Sequence, residues 1–137
     1  MKHPPIAGML LVTAIFAAPL HIARAQDAKA PAALQKEYDG FIADFRLTVK
    51  ANNAAAVSRL TKFPFYWNGT RDAASFEKNI YGRIFTPKIR RCLANAKGVY
   101  ARDPSGADTF THFCSKELFL FTRTPQGFRF SEVGTND

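Results

Sequence analysis

Three polar side chains in otherwise apolar segments have types and positions that suit acid–base chemistry: Tyr38, His112 and Glu132. His112 alternates with Phe110 and Cys114, so a β-strand would place all three on one face. A histidine in an apolar pocket can act as a general base. A partly buried histidine with a satisfied hydrogen bond gives the same pattern, and the packing role is favoured.

Glu132 continues the alternation of Phe128 and Phe130, which would place it on the interior face of a strand. Desolvation there would raise the pKa of the carboxyl group, as in a pocket acid or base, unless Arg123 pairs with it. A strand-end carboxylate in solvent or a structural ion pair fits the same pattern and is favoured. Tyr38 would be the oxyanion donor of such a site, although its spacing along a predicted helix favours core packing.

The motifs of common hydrolytic and metal-dependent enzymes do not occur in the sequence. It has no His-Glu-x-x-His, no cysteine cluster, no Gly-x-Ser-x-Gly elbow and no phosphate-binding glycine loop. Beyond residue 25, His112 is the one histidine, so we expect neither a metal nor a cofactor. The sequence favours a non-enzymatic role, with proton transfer by Glu132 or His112 as the alternative.

The densest aromatic cluster is Phe63-Pro64-Phe65-Tyr66-Trp67. Since Pro64 lacks an N–H, this segment is predicted to be an edge strand or an extended loop, and Asn68-Gly69 predicts a turn. Aromatic residues line apolar pockets, but they also close the end of a core, which is the interpretation that we favour. The residues predicted to line an apolar pocket are Phe63, Phe65, Trp67, Phe128 and Phe130.

The first residues have the features of a signal peptide. Lys2 is followed by an apolar run at 6–20 and by the small-x-small site Ala23-Arg24-Ala25. The run is short for a membrane span, so we expect cleavage after Ala25 and a periplasmic or secreted protein; an uncleaved anchor is the alternative. The predicted divisions are a signal peptide (1–25), a flexible leader (26–31) and a single domain (32–134).

The chain has two cysteines, Cys92 and Cys114. Export permits a disulfide, and an even number of cysteines favours one. On the chain-entropy model a loop of this length contributes about 3 kcal/mol. Two free buried thiols and a redox-active pair are the alternatives. The two cysteines do not have the Cys-x-x-Cys spacing, which argues against a redox-active pair. The predicted disulfide would pin the fourth helix to the sheet.

Basic residues outnumber acidic ones, which gives a formal net charge of +8. Removal of Lys2 and Arg24 from the 19 basic residues would leave 17 against 11 acidic residues, and a net charge of +6. In an exported protein this charge favours anionic lipid headgroups, cell-wall polymers or an acidic protein over nucleic acid. Solubility alone is the simpler explanation. The basic cluster predicted on the outer face of the fourth helix is Lys88, Arg90, Arg91 and Lys97.

Apolar periodicity and capping residues predict four helices. Asn53 is a candidate N-cap for the second helix, and Thr86 with Pro87 at the first helical position marks the start of the fourth. The predicted helices are 32–52, 54–60, a third that begins after residue 72, and a fourth between Thr86-Pro87 and Lys97-Gly98.

Period-2 alternation and turn residues predict a four-stranded meander after the helices. The segment 115–117 is either a short hairpin or a bulge inside one long strand. The predicted strands are 99–102, 109–114, 118–123 and 128–133. The expected fold is therefore α+β, with N-terminal helices packed against a curved antiparallel β-meander.

Helices followed by such a meander resemble the NTF2-like (cystatin-like) superfamily, whose sheet wraps around the helices to form a cone. The resemblance covers 34–133 and depends on the element order, the aromatic segment 63–67 and the closing segment 128–133. The chain is similar in particular to small exported bacterial proteins of that superfamily with a paired cysteine in the last helix and the sheet. The superfamily holds ketosteroid-isomerase-like and polyketide-cyclase-like enzymes beside binding and dimerisation modules, so the resemblance implies a fold and leaves activity and homodimerisation open.

Three functional hypotheses follow. The first is an exported non-enzymatic domain that binds a small apolar ligand or a protein partner in or beside the cone. The second is an isomerase- or cyclase-type enzyme with Glu132 or His112 as its base. The third, compatible with the first, is attachment to an anionic surface through the basic cluster of the fourth helix.

Overall fold

A computed structural model describes residues 28–136 of the protein. Helices come first and antiparallel strands follow, which confirms the predicted α+β class and the single domain. The predicted signal peptide, its cleavage site and the first residues of the leader lie outside the described residues. Within 28–136, no helix is both long enough and apolar enough to cross a bilayer.

The first helix, α1 (Ala32–Lys50), has a buried stripe at helical spacing. It ends two residues earlier than predicted because Asn52 adopts the left-handed region, with φ of 52°. Asn53 then caps α2 (Ala54–Arg59), as predicted: its side-chain oxygen accepts a 3.0 Å hydrogen bond from Ala56 N. The buried residues of α1 are Leu34, Tyr38, Ile42, Phe45 and Val49.

The aromatic segment after α2 forms a small hairpin. Its strands are β1 (Phe65–Tyr66) and β2 (Thr70–Arg71), which pair antiparallel. Asn68 and Gly69 both have positive φ, 47° and 109°, as a tight hairpin turn requires. The predicted turn at Asn68-Gly69 is confirmed.

The third predicted helix is interrupted in the structure. Asp72 caps α3 (Ala73–Ser75) by accepting a 2.8 Å hydrogen bond from Ser75 N. A π-helical segment (Phe76–Ile80) follows, and α4 (Tyr81–Ile84) completes the run. The apolar spacing predicted one regular helix because the buried residues Phe76, Ile80 and Ile84 recur every four positions, although Phe76–Ile80 is π-helical.

The fourth predicted helix is α5 (Pro87–Asn95), and Thr86 Oγ1 accepts a hydrogen bond from Ile89 N at its start, 3.3 Å long. The prediction that this helix ends at Lys97-Gly98 is wrong. Ala96 already has an extended conformation, and Gly98 is the first residue of the next strand.

The sheet has four antiparallel strands in sequential order and is not closed. Ser115 and Lys116 form a two-residue hairpin between strands paired at Cys114 and Glu117, and Ser115 has φ of 62°. The open question at 115–117 is therefore settled in favour of a hairpin. The strands are β3 (Gly98–Arg102), β4 (Asp108–Cys114), β5 (Glu117–Thr124) and β6 (Gly127–Thr135).

A β-bulge interrupts the ladder between β5 and β6. Phe121 lies opposite Phe130, but the next pair along the strands joins Leu120 to Glu132. Ser131 is thus the extra residue. Because one residue is inserted, the alternation of side chains changes phase between Phe130 and Glu132.

The core lies between the apolar face of α1 and the inner face of the sheet. Tyr38 stacks on Phe110 with ring centroids 3.7 Å apart and an interplanar angle of 4°. Phe45 meets Phe121 edge-on, with centroids 4.9 Å apart. These aromatic contacts fix how α1 lies across the strands, which in turn positions the polar groups described below.

The outer edge of β6 is covered by the segment that follows α2. Phe130 N donates to Leu60 O at 2.8 Å, and Lys62 N donates to Phe130 O at 2.7 Å. Thr61 and Phe130 therefore form a parallel bridge, which satisfies strand-edge groups that would otherwise face solvent.

Candidate functional site

Two of the three candidate polar residues meet inside the protein. Tyr38 Oη and His112 Nε2 are 2.5 Å apart, and both side chains are buried, with 2% and 1% of their surface exposed. Tyr38 comes from the buried stripe of α1, and His112 from the inner face of β4. The hydrogen bond thus joins the long helix to the sheet.

The backbone opposite His112 leaves room for this pair. Gly98 faces His112 across the β3–β4 ladder. A Cβ at position 98 would lie 2.9 Å from His112 Nε2, 3.2 Å from Phe110 Cδ1 and 3.2 Å from Tyr38 Cε1. A side chain at this position would clash with the pair, so glycine is needed for close approach.

Burial sets the protonation of the pair. The pKa of His112 is lowered from 6.5 to about 4, mainly by burial and to a lesser extent by the charge of the Arg46 guanidinium. The Ala96 carbonyl acts in the opposite direction and raises this pKa. Burial also raises the pKa of the Tyr38 hydroxyl above its ordinary value. Both groups are therefore neutral at pH 7, and an imidazole that resists protonation so strongly is a poor general base. His112 Nδ1 has no hydrogen-bond partner.

A cleft of about 520 Å³ lies over the pair, and we call it the Tyr–His cleft. It is bounded by the part of α1 between Gln35 and Arg46, by the end of α5 with the turn that follows, by the start of β3 and by His112 of β4. Its lining is mainly polar. The lining residues are Gln35, Tyr38, Asp39, Ile42, Arg46, Ala94, Asn95, Ala96, Lys97, Gly98 and His112.

Arg46 forms one wall of this cleft and secures the end of α5. Its Nε donates to Leu93 O at 2.9 Å, and its Nη2 donates to Ala96 O at 2.5 Å. A cation at this place satisfies carbonyls that have no partner at a helix C-terminus. A guanidinium has five N–H donors, so three of them remain for a ligand.

A second cleft, of about 350 Å³, lies on the other side of Arg46 between α1 and α5. We call it the basic groove. Four cationic side chains surround an aliphatic floor. The lining residues are Arg46, Lys50, Arg90 and Arg91 with Val49, Pro87, Leu93 and Ala94.

Within residues 28–136, no carboxylate forms an ion pair with any of these four cations. The ion pairs of that part of the chain join Arg102 to Asp108 and Arg123 to Glu37, and both pairs lie outside the basic groove. An unneutralised cluster of this kind attracts anions, and the low-dielectric wall beside it focuses the field.

Glu132 lies apart from these clefts, on the outer face of β6, and is exposed to solvent. The interior position that simple alternation allowed for Glu132 is therefore wrong, because the bulge at Ser131 reverses the alternation between Phe130 and Glu132. The structure does not bring Glu132 together with Tyr38 and His112.

The aromatic residues predicted to line a pocket are part of the core. Phe65, Phe128 and Phe130 are at most 1% exposed. Phe63 and Trp67 are half-buried against the same core. Phe65 packs on Phe76 and Phe130 with centroid distances of 5.2 Å to each. These contacts close one end of the core, whereas Tyr66 of the same segment is 71% exposed.

The predicted basic cluster divides among three places. Arg90 and Arg91 line the basic groove, Lys97 lines the Tyr–His cleft, and Lys88 lines neither. Sequence reasoning missed Arg46 and Lys50. Their spacing of four residues, next to the buried stripe of α1, was the available signal, but only the packing of α1 on α5 shows which cations they join.

The predicted disulfide between Cys92 and Cys114 is present and has a Cα–Cα distance of 5.8 Å. It links α5 to the end of β4, as expected. Among the described residues there is no free cysteine, and no group of three or more histidine, cysteine, aspartate or glutamate side chains is placed to hold a metal ion.

Comparisons with protein-family models, with curated proteins and with solved structures return no match for this chain. We therefore infer function from the site itself. Within residues 28–136, that site consists of two adjoining clefts with spare cationic donors and of a buried Tyr–His pair, in which the lowered pKa of His112 makes the imidazole a weak base.

Proposed function

We propose that this protein is a non-enzymatic binding domain whose ligand is an anionic amphiphile held in the basic groove. The observation that carries the proposal is the set of four cations, with no carboxylate partner in the described chain, around an aliphatic floor. The anionic head of the ligand pairs with the cations, and its apolar part lies on the floor. From the sequence we expected a small apolar ligand, and the ligand proposed here has an anionic head in addition to its apolar part.

The two halves of the groove suit the two halves of such a ligand. Arginine donates paired hydrogen bonds to phosphate or carboxylate oxygens, and Arg46, Arg90 and Arg91 all line the groove. Val49 and Leu93 are buried residues whose side chains form the floor. A volume of about 350 Å³ is in the range of small-ligand sites.

The filled interior also favours a ligand outside the core. The phenylalanines on the inner face of the sheet are almost completely buried and pack on one another. Opening a cavity among them for an apolar ligand would require the repacking of several large side chains. The surface between α1 and α5 needs no such rearrangement.

We also propose that the protein is exported and that it belongs to the NTF2-like superfamily. The Cys92–Cys114 disulfide supports an oxidising compartment, so we include export with cleavage after Ala25. The order of helices followed by an antiparallel meander is compatible with the NTF2-like superfamily. An isomerase- or cyclase-type activity has less support, because burial lowers the pKa of His112 to about 4 and so makes it a weak base, and because Glu132 is exposed.

Binding of short-chain monomeric lipids tests the function. We expect dihexanoyl phosphatidylglycerol to bind at least about tenfold more tightly than dihexanoyl phosphatidylcholine, since the tails are identical and only the net charge of the head differs. The preference should weaken as salt is added, because the groove is open to solvent. Isothermal titration calorimetry at two salt concentrations measures both effects.

A charge-matched pair of double variants locates the binding. Arg90→Gln/Arg91→Gln should reduce the affinity for phosphatidylglycerol about tenfold or more. Arg59→Gln/Arg83→Gln removes the same charge from exposed positions outside the groove and should change the affinity less than twofold. Equal affinity for the two lipids, or an equal effect of the two double variants, would refute the proposal.

A further inference from the structure

We infer that the Tyr–His cleft is a second binding site, for a small organic monocarboxylate. This site adjoins the basic groove and shares Arg46 and Ala94 with it, but it does not depend on the function proposed for the groove. It is motivated by a polar atom that the fold leaves without a partner: Nδ1 of His112, in a side chain that is 1% exposed and lines the cleft. A buried polar group of this kind is costly unless something satisfies it.

The hydrogen bond between His112 and Tyr38 indicates which kind of hydrogen-bond partner would satisfy His112 Nδ1. When the Tyr38 hydroxyl donates to Nε2, the neutral ring carries its proton on Nδ1, which is then a donor. The carbonyl of Ala96 is close enough to favour this proton, but it does not meet hydrogen-bond geometry and already accepts from Arg46. The partner that fits is an oxygen acceptor.

The charges around the cleft favour an anion with a single negative charge. Arg46 and Lys97 are cations, Asp39 is a carboxylate, and His112 is neutral, which leaves a net charge of +1 for the lining. A carboxylate balances that charge, whereas a phosphate dianion would exceed it and would meet Asp39. The N–H groups of Arg46 that have no partner and the Lys97 ammonium group can donate hydrogen bonds to the carboxylate oxygens.

The shape of the cleft allows a short carbon chain on the acid. Ile42, Ala94 and Ala96 form apolar parts of the lining, and the volume of about 520 Å³ exceeds the needs of a few carbon atoms. Nδ1 is closed to solvent in this structure, so contact between Nδ1 and the carboxylate requires a shift of the turn at Ala96 and Lys97. That turn lies between the end of α5 and the start of β3 and is short.

Butyrate is a suitable probe, with butyramide as its neutral analogue and inorganic phosphate as the competing anion. We expect butyrate to bind at least about tenfold more tightly than butyramide, because its hydrogen bonds are charge-assisted, and phosphate to bind more weakly than butyrate. In the purified protein labelled with ¹⁵N-histidine, butyrate should shift the Nδ1 resonance of His112. That shift reports contact with the ring and not merely a general attraction of anions.

Variants that leave the basic groove intact complete the test. Lys97→Gln should weaken butyrate binding about threefold, and His112→Phe about tenfold, while phosphatidylglycerol binding stays unchanged. Lys88→Gln removes a similar charge from a residue that lines neither cleft and is the control. The inference is overturned if butyrate and butyramide bind alike, if Lys88→Gln matches Lys97→Gln, or if the His112 Nδ1 resonance does not move. The resonance test stands even where His112→Phe fails to fold.

Discussion

Gly98 and His112 lie directly opposite each other in the β3–β4 ladder, and a methyl group on Gly98 would come within 2.9 Å of the imidazole. The strand pairing and the Tyr38–His112 hydrogen bond therefore depend on the same glycine. Any side chain at position 98 has to move either the backbone of β3 or the buried ring.

Gly98→Ala should lower the free energy of unfolding by about 1–3 kcal/mol, the usual cost of overpacking a tight interior site. Chemical denaturation measures the change. Gly40→Ala is the matched control, because a Cβ at position 40 of α1 meets nothing within 4 Å. Alanine is also the better helix former, so the control should be neutral or stabilising by up to about 1 kcal/mol. Equal effects of the two substitutions would contradict the close approach at Gly98.

The stability of the protein should fall as the pH decreases from 6.5 to 4. The pKa of His112 is about 4 in the folded protein and 6.5 without the fold, so the unfolded chain binds more protons in this interval. The loss attributable to His112 is about 3 kcal/mol and is complete below pH 4. The groups around the ring that set this behaviour are Tyr38, Arg46 and the Ala96 carbonyl.

Denaturation curves of the wild type and of His112→Phe between pH 4 and pH 7 test this prediction. The variant should lose the part of the pH dependence that comes from His112, since phenylalanine cannot titrate. Parallel profiles for the two proteins would show that the ring is protonated in the folded state at mildly acidic pH.

Loss of the disulfide should cost about 3 kcal/mol, because Cys92 and Cys114 lie 22 positions apart in the sequence and the bond restricts the unfolded chain. Unfolding of Cys92→Ala/Cys114→Ala measures the cost. Thiol titration of the unreduced, denatured wild type should find no free cysteine. Two free thiols in protein taken from an oxidising compartment would refute the pairing.

Glu132→Gln should change the free energy of unfolding by less than about 0.5 kcal/mol and should leave lipid binding unchanged, because the side chain is exposed on the outer face of β6. Glu37→Gln provides a contrast. It removes a carboxylate that accepts from Arg123 Nε at 3.1 Å and Nη2 at 3.0 Å, and it should cost up to about 1 kcal/mol. A large effect of Glu132→Gln would mean that this carboxylate faces the interior after all.

Local signals were enough to predict where the elements begin and which class of fold they form. Asn53 and Thr86 each cap the helix predicted for them, because an N-cap needs only the side chain and the next few residues. Period-2 alternation located the strands. The Cys92–Cys114 pair followed from the number of cysteines and the expected compartment.

The site could not be predicted in the same way because it depends on distances between elements. Arg46 reaches the end of α5 only through the packing of α1 across the sheet. The outward position of Glu132 depends on one inserted residue at Ser131, and the alternation rule has no means of locating such an insertion. Tyr38 and His112 were both candidates, but no sequence pattern joined them.

The bridge between Thr61 and Phe130 has a consequence for the order in which the chain folds. Every residue from 62 to 129 must be synthesised before Phe130 can pair with the segment after α2. Until then Phe45 and Phe65 lack an aromatic neighbour that completes their packing. Such long-range contacts slow folding and leave apolar surface uncovered in the nascent chain. A chain that stalls before β6 therefore keeps apolar surface exposed, and completion of the last strand ends that exposure.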